Sequence, residues 1–166
     1  QTCALPIFAV KRRFVAAQTE YAKTLCAAGM KNINVTQEHD SVISRCTERM
    51  FEKVFQQKKL KKQPTLLWLR DEIYQELQNV DNEHDASLIR VIYNSLEEYT
   101  IGSCDMLAHA SNVSLNRRMI GFGMSNVPEN NWEAVMVTIL HYLSIRMDYN
   151  KRFQKATHLV IDETQR

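Results

Sequence analysis

Apolar residues recur every three or four positions along most of the chain. Val42, Cys46, Met50 and Val54 step by four, with Phe51 and Phe55 beside them. Leu66, Leu69, Ile73 and Leu77 follow the same rule, as do Leu88, Val91, Ile92 and Leu96, and Val135, Ile139, Tyr142 and Leu143. Each set draws one stripe on an α-helix. No comparable stretch alternates with period two, so the pattern predicts an all-α protein without a sheet. Four glycines and three prolines in 166 residues agree, because an all-β chain needs far more turns.

Between the stripes a short block recurs. Gly29-Met30-Lys31-Asn32 runs into Val35-Thr36-Gln37-Glu38-His39-Asp40. Leu77-Gln78-Asn79-Val80-Asp81 runs into Asn82-Glu83-His84-Asp85. Met124-Ser125-Asn126-Val127-Pro128 runs into Glu129-Asn130-Asn131. Such a block suits a helix end followed by a helix start. Asn32, Asn79 and Asn126 fit the C-terminal turn, where asparagine tolerates the left-handed conformation. Thr36 and Asp81 fit N-caps, and Pro128 fits a first helical turn. Glu38, Asp40, Glu83, Asp85 and Glu129 place negative charge at the positive end of the next helix dipole. Capping alone can generate the likeness. Read as a true repeat, it predicts a stacked helix-pair array, an α-solenoid, with units at about 35–79, 80–126 and 127–166. The helices of each pair would break near Lys59–Pro64, Thr100–Cys104 and Asp148–Asn150, and residues 8–34 would supply a preceding helix. The alternative is a single compact helical bundle.

Charge narrows little. Lys and Arg total 21 against 19 for Asp and Glu, and a net +2 does not by itself imply a nucleic-acid partner. The longest apolar run, Val135 to Ile145, is interrupted by Thr138, His141 and Ser144 and falls short of the roughly 20 residues that span a bilayer. No membrane partner is expected. Cys26, Cys46 and Cys104 show no CxxC spacing, so buried, reduced thiols are expected, with no metal and no cofactor. Two glycosylation tripeptides, Asn34-Val35-Thr36 and Asn112-Val113-Ser114, are of a kind common by chance. The opening Gln1-Thr2-Cys3-Ala4-Leu5-Pro6-Ile7 back-translates to a string like a short-read sequencing adapter. Residues 1–7 are therefore expected to be an artefact, residues 8–166 a single helical domain, and the chain a piece of a longer one.

Candidate chemistry is sparse. His39-Asp40 and His84-Asp85 could mimic a metal-binding pair of His-Asp motifs, but both sit in the capping block. Glu97, Glu98 and Asp105 loosely match helical magnesium hydrolases without their tight carboxylate pair. Neither makes an enzyme of the chain. Basic clusters are more suggestive: Lys58, Lys59, Lys61 and Lys62 form one, Lys11-Arg12-Arg13 a second, and Arg117-Arg118 a third. Tyr93, Tyr99 and Trp68 could stack on bases, although Trp68 among Leu66, Leu67 and Leu69 reads as core.

The joins resemble pentatricopeptide-type repeats. Ala27-Ala28-Gly29-Met30 leads to Val35-Thr36 and then Asp40-Ser41-Val42-Ile43-Ser44, and Gly121 to Pro128 leads into Trp132-Glu133-Ala134-Val135-Met136. The units here run ten or more residues beyond that family's period of about 35. The resemblance implies base-reading residues at Asp40, Asp85 and Asn131 in the first helices and at Asn34, Asn79 and Asn126 near the repeat ends. It also implies a non-enzymatic scaffold for RNA or a ribonucleoprotein, in mitochondria or another organelle. Two of those positions are carboxylates, which repel phosphate. The alternative function is a protein-binding structural subunit of a larger assembly.

Overall fold

The computed structural model describes residues 4–57, 63–110 and 118–162. Among the described residues six α-helices follow in order: α1 (Ala4–Gly29), α2 (Gln37–Gln56), α3 (Leu66–Gln78), α4 (Glu83–Ser95), the single turn α5 (Glu97–Thr100) and α6 (Trp132–Arg152). Short 3₁₀ turns occupy Asp105–Ala108 and Glu129–Asn131. No strand occurs among the described residues.

The helix starts follow from local chemistry. Thr36 precedes α2 in an extended conformation. Its backbone N–H donates to His39 Nδ1 at 3.2 Å, and its hydroxyl lies 2.8 Å from the same nitrogen. His39 thus takes the place that Glu or Gln holds in a capping box. The cap of α4 is Asn82, one residue past the expected Asp81: its Oδ1 accepts the His84 N–H at 3.0 Å. Asn32 adopts the left-handed conformation, φ 67°, and lets the chain turn out of α1. Asn79 does not, with φ −101°.

The core is one cluster. Leu25 and Cys26 of α1, Ile43 and Cys46 of α2, Leu69 and Ile73 of α3, and Ile89 and Ile92 of α4 meet there, with Leu96 and Tyr99. Met30 is buried, while Trp68, Leu77 and Met124 pack on the cluster from its edge. Helix α1 lies against α2, α4 and α6, and α2 lies against α3 and α4, which also touch each other. Gly29 sits where α1 meets α4. A Cβ built there would lie 2.2 Å from the Ser95 carbonyl oxygen, so only glycine permits this approach.

A polar ladder flanks the core between α2 and α3. Arg45, Arg49 and Lys53 are four apart, as are Glu72 and Glu76, so each set lines one face. Arg49 reaches Glu76 at 2.5 Å and Glu72 at 3.5 Å; Arg45 reaches Glu76 at 3.0 Å, and Lys53 pairs with Glu72. Burial pushes the Glu76 carboxyl up, but the hydrogen bonds from Arg49 and Arg45 outweigh it and hold the group below its usual range.

Cys26, Cys46 and Cys104 are buried and free. Burial pushes Cys26 up to about 12 and Cys46 to about 11, so both stay neutral and poorly nucleophilic near neutral pH.

Two segments differ from the expected helix pairs. Helix α6 runs through the break expected at Asp148–Asn150. That stretch has no glycine or proline, and Lys151 and Arg152 complement the negative end of the dipole in the last turn. After Thr100 the described residues up to Pro128 hold only the 3₁₀ turn. No described helix is long and apolar enough to cross a membrane.

Candidate functional site

The seam between α1 and α6 fixes which side of α6 faces outward. Its entrance is pinned by polar contacts. Lys31 Nζ donates to the Asn130 carbonyl at 2.6 Å, and the Trp132 indole N–H donates to the Val127 carbonyl at 2.7 Å. Asn131 is 0% exposed and donates through Nδ2 to Glu98 Oε1 at 3.3 Å. The Ser103 hydroxyl donates to the same oxygen. Those two bonds, Ser103 first, hold the Glu98 carboxyl below its usual range.

Further along, Tyr21 and Thr138 share a hydrogen bond at 3.0 Å, and the Tyr21 ring stacks on His141 with centroids 4.3 Å apart and 11° between planes. Lys31 lies beside position 130 and Tyr21 beside 138 and 141, so α6 runs antiparallel to α1. Burial raises the Tyr21 phenol and lowers the His141 imidazole, whose Nε2 is shielded without a hydrogen-bond partner. A histidine depressed in the folded state takes up its proton more readily when unfolded. Stability from this contact is therefore full above about pH 6.5, the unfolded value, and declines as pH falls below it. His141→Phe is expected to flatten that part of the profile. Melting temperatures of both proteins between pH 5 and 8 should converge at the acid end if wild type starts the more stable; parallel profiles would exclude the effect.

With Ala134, Val135 and Thr138 turned inward, the other side of α6 faces out. At 100° per residue, Met136, Leu140, Leu143 and Met147 all lie about 140–180° around the helix from Thr138. Leu140 is 42% and Met147 41% exposed; Met136 and Leu143 are half-buried. The spacing of four, three and four is that of a two-helix seam. Glu133 borders the stripe at its start, and Arg146 and Lys151 border it near its end. Ile145 and Tyr149 are exposed as well, but they fall within about 20° of Thr138, on the side that carries the α1 seam; exposed Phe153 follows the helix end. An apolar stripe on a helix usually has a neighbour to cover it, and among the described residues the long helix that packs along α6 is α1, on the Thr138 side. The stripe expected from the sequence, Val135, Ile139, Tyr142 and Leu143, shares only Leu143 with this outward row. A wheel projection marks the remaining apolar positions.

Of the sequence-derived binding residues, Lys58, Lys59, Lys61, Lys62 and Arg117 lie outside the described residues, and the other four are not gathered here. Arg118 and Asn126 are exposed. Asn79 is exposed, and its Nδ2 donates to the Gln75 carbonyl at 2.8 Å. Asn131 faces the interior, not solvent, because the 3₁₀ turn aims it at Glu98. Tyr99 likewise belongs to the core, and Tyr93 carries Arg70 over its ring at 4.2 Å. No cluster of three or more metal-ligating side chains occurs among the described residues. Comparison with protein-family models, curated proteins and solved structures finds no match to this chain.

Proposed function

We propose that this chain is a protein-binding helical subunit, and that the outward stripe of α6 is its docking face. The observation that carries the reading is the row Met136, Leu140, Leu143 and Met147 on the side of α6 opposite its seam with α1. Exposed apolar surface in a contiguous row marks interaction sites in soluble proteins. A closed bundle suits this reading better than a serial array. In a solenoid each helix pair touches only its neighbours, whereas here the last long helix lies against the first. The RNA-scaffold reading draws less support: Asn131 is buried, and Asp40 and Asp85 stand where neutral base-reading residues belong.

Two measurements at sub-micromolar protein test the choice. An environment-sensitive naphthalene dye is expected to bind wild type and to bind a Leu140→Lys, Met147→Lys variant at least about five-fold more weakly. The unfolding midpoint should stay nearly unchanged, because both side chains are at the surface. A fluorescently labelled single-stranded RNA of mixed sequence is expected not to bind at physiological salt. Tight RNA binding that falls steeply between 50 and 200 mM salt would overturn the reading in favour of the scaffold.

A further inference from the structure

The stripe on α6 has a property that selects among protein partners. It is complementary to its own reverse. In an antiparallel pair in which Met136 of one copy faces Met147 of the other, Leu140 faces Leu143, and the relation holds both ways. The same register brings Glu133 beside Asn150 and Lys151 of the second copy. A two-fold axis repeats that pairing at the other end. Glu133 and Lys151 are both exposed, and among the described residues neither forms an ion pair within the chain. The terminal layers of the seam would then be polar and oppositely charged, while the four layers between them, Met136 on Met147 and Leu140 on Leu143, each occurring twice, are apolar. An in-register parallel pair lacks this match, since Glu133 would meet Glu133 and Lys151 would meet Lys151.

We infer that the docking face of α6 takes a second copy of this chain, forming an antiparallel α6–α6 seam with Glu133–Lys151 pairs at both ends. This rests on the reading of α6 as a docking face and names its occupant. The stripe spans only about 16 Å. A seam of that length is small beside the roughly 800 Å² per partner of standard interfaces, so the dimer is weak and concentration-dependent.

Sedimentation velocity on the full chain tests it. The weight-average sedimentation coefficient is expected to rise from monomer toward dimer between about 5 and 500 µM. Leu140→Lys is expected to abolish the rise. Glu133→Lys, which turns two attractions into two repulsions, is expected to weaken association about ten-fold. The charge swap Glu133→Lys with Lys151→Glu is expected to restore it to within about three-fold. A monomer at every concentration overturns the inference. So does a dimer indifferent to Leu140→Lys, or a charge swap that fails to restore association. The dye experiment reads the docking face separately at concentrations where the chain is monomeric. A monomer that still binds dye through Leu140 and Met147 refutes self-pairing alone.

Discussion

Gly29→Ala is expected to destabilise the fold by about 3 kcal/mol, the upper part of the range for overpacking a close contact. For a chain of this length that lowers the melting temperature by roughly 6–12 °C. No glycine among the described residues has positive φ, so backbone strain plays no part. Alanine would even favour the helix by up to about 1 kcal/mol. The clash wins because the new methyl would lie 2.2 Å from the Ser95 carbonyl oxygen and 3.0 Å from its carbon. These are backbone atoms in the last turn of α4 and cannot rotate aside. Either α1 and α4 move apart, opening the core at Cys26 and Ile92, or α4 loses its last turn. Gly121→Ala and Gly123→Ala are the controls, since a methyl there meets nothing within 4 Å. Both should stay within about 0.5 kcal/mol of wild type in urea unfolding. Equal effects at all three sites would refute the close α1–α4 approach.

The second large effect concerns Glu72, which is buried although its cationic partners are partly exposed: Arg49 is 37% and Lys53 50% exposed. Replacing both Arg49 and Lys53 by Met leaves this carboxylate without a counter-charge. The expected cost is about 3 kcal/mol, at the lower end for breaking a buried pair because solvent reaches the cationic side. Adding Glu72→Leu to that background should recover most of the loss. Glu72→Leu in the wild type should cost no more than about 1 kcal/mol, since Arg49 keeps Glu76 and Lys53 turns to water. Urea unfolding of the four proteins closes a double-mutant cycle. Additive effects would mean that Glu72 does not depend on those two cations.

Much of the architecture was legible in the residue pattern, for identifiable reasons. The four apolar stripes fall on α2, α3, α4 and α6, because a buried helix face must repeat every three to four residues. The recurring capping block falls at the starts of α2 and α4. What the pattern could not specify is which helix meets which. The return of α6 to α1 depends on Tyr21, Thr138 and His141, more than a hundred residues apart and without a local signature. Asn131 is expected at the surface because the repeat resemblance implies a base-reading residue there. Its burial depends on Glu98, 33 positions earlier. Leu143 counts with the first apolar face, and Met136, Leu140 and Met147 do not separate from it in the sequence, because one apolar face is enough to account for a helix and the second becomes informative only when the first is known to be covered.

Solvent access on the two faces of α6 tests the arrangement most directly. With Cys3 replaced by Ser, and at concentrations where the chain is monomeric, Leu140→Cys and Val135→Cys variants can be compared for their rate of alkylation. Position 140 should react at a rate close to that of an unfolded thiol, and position 135, inward and 7% exposed, should be strongly protected. Comparable protection at both would mean that the chain itself covers the outward stripe, and comparable reactivity at both would mean that α6 does not dock on α1.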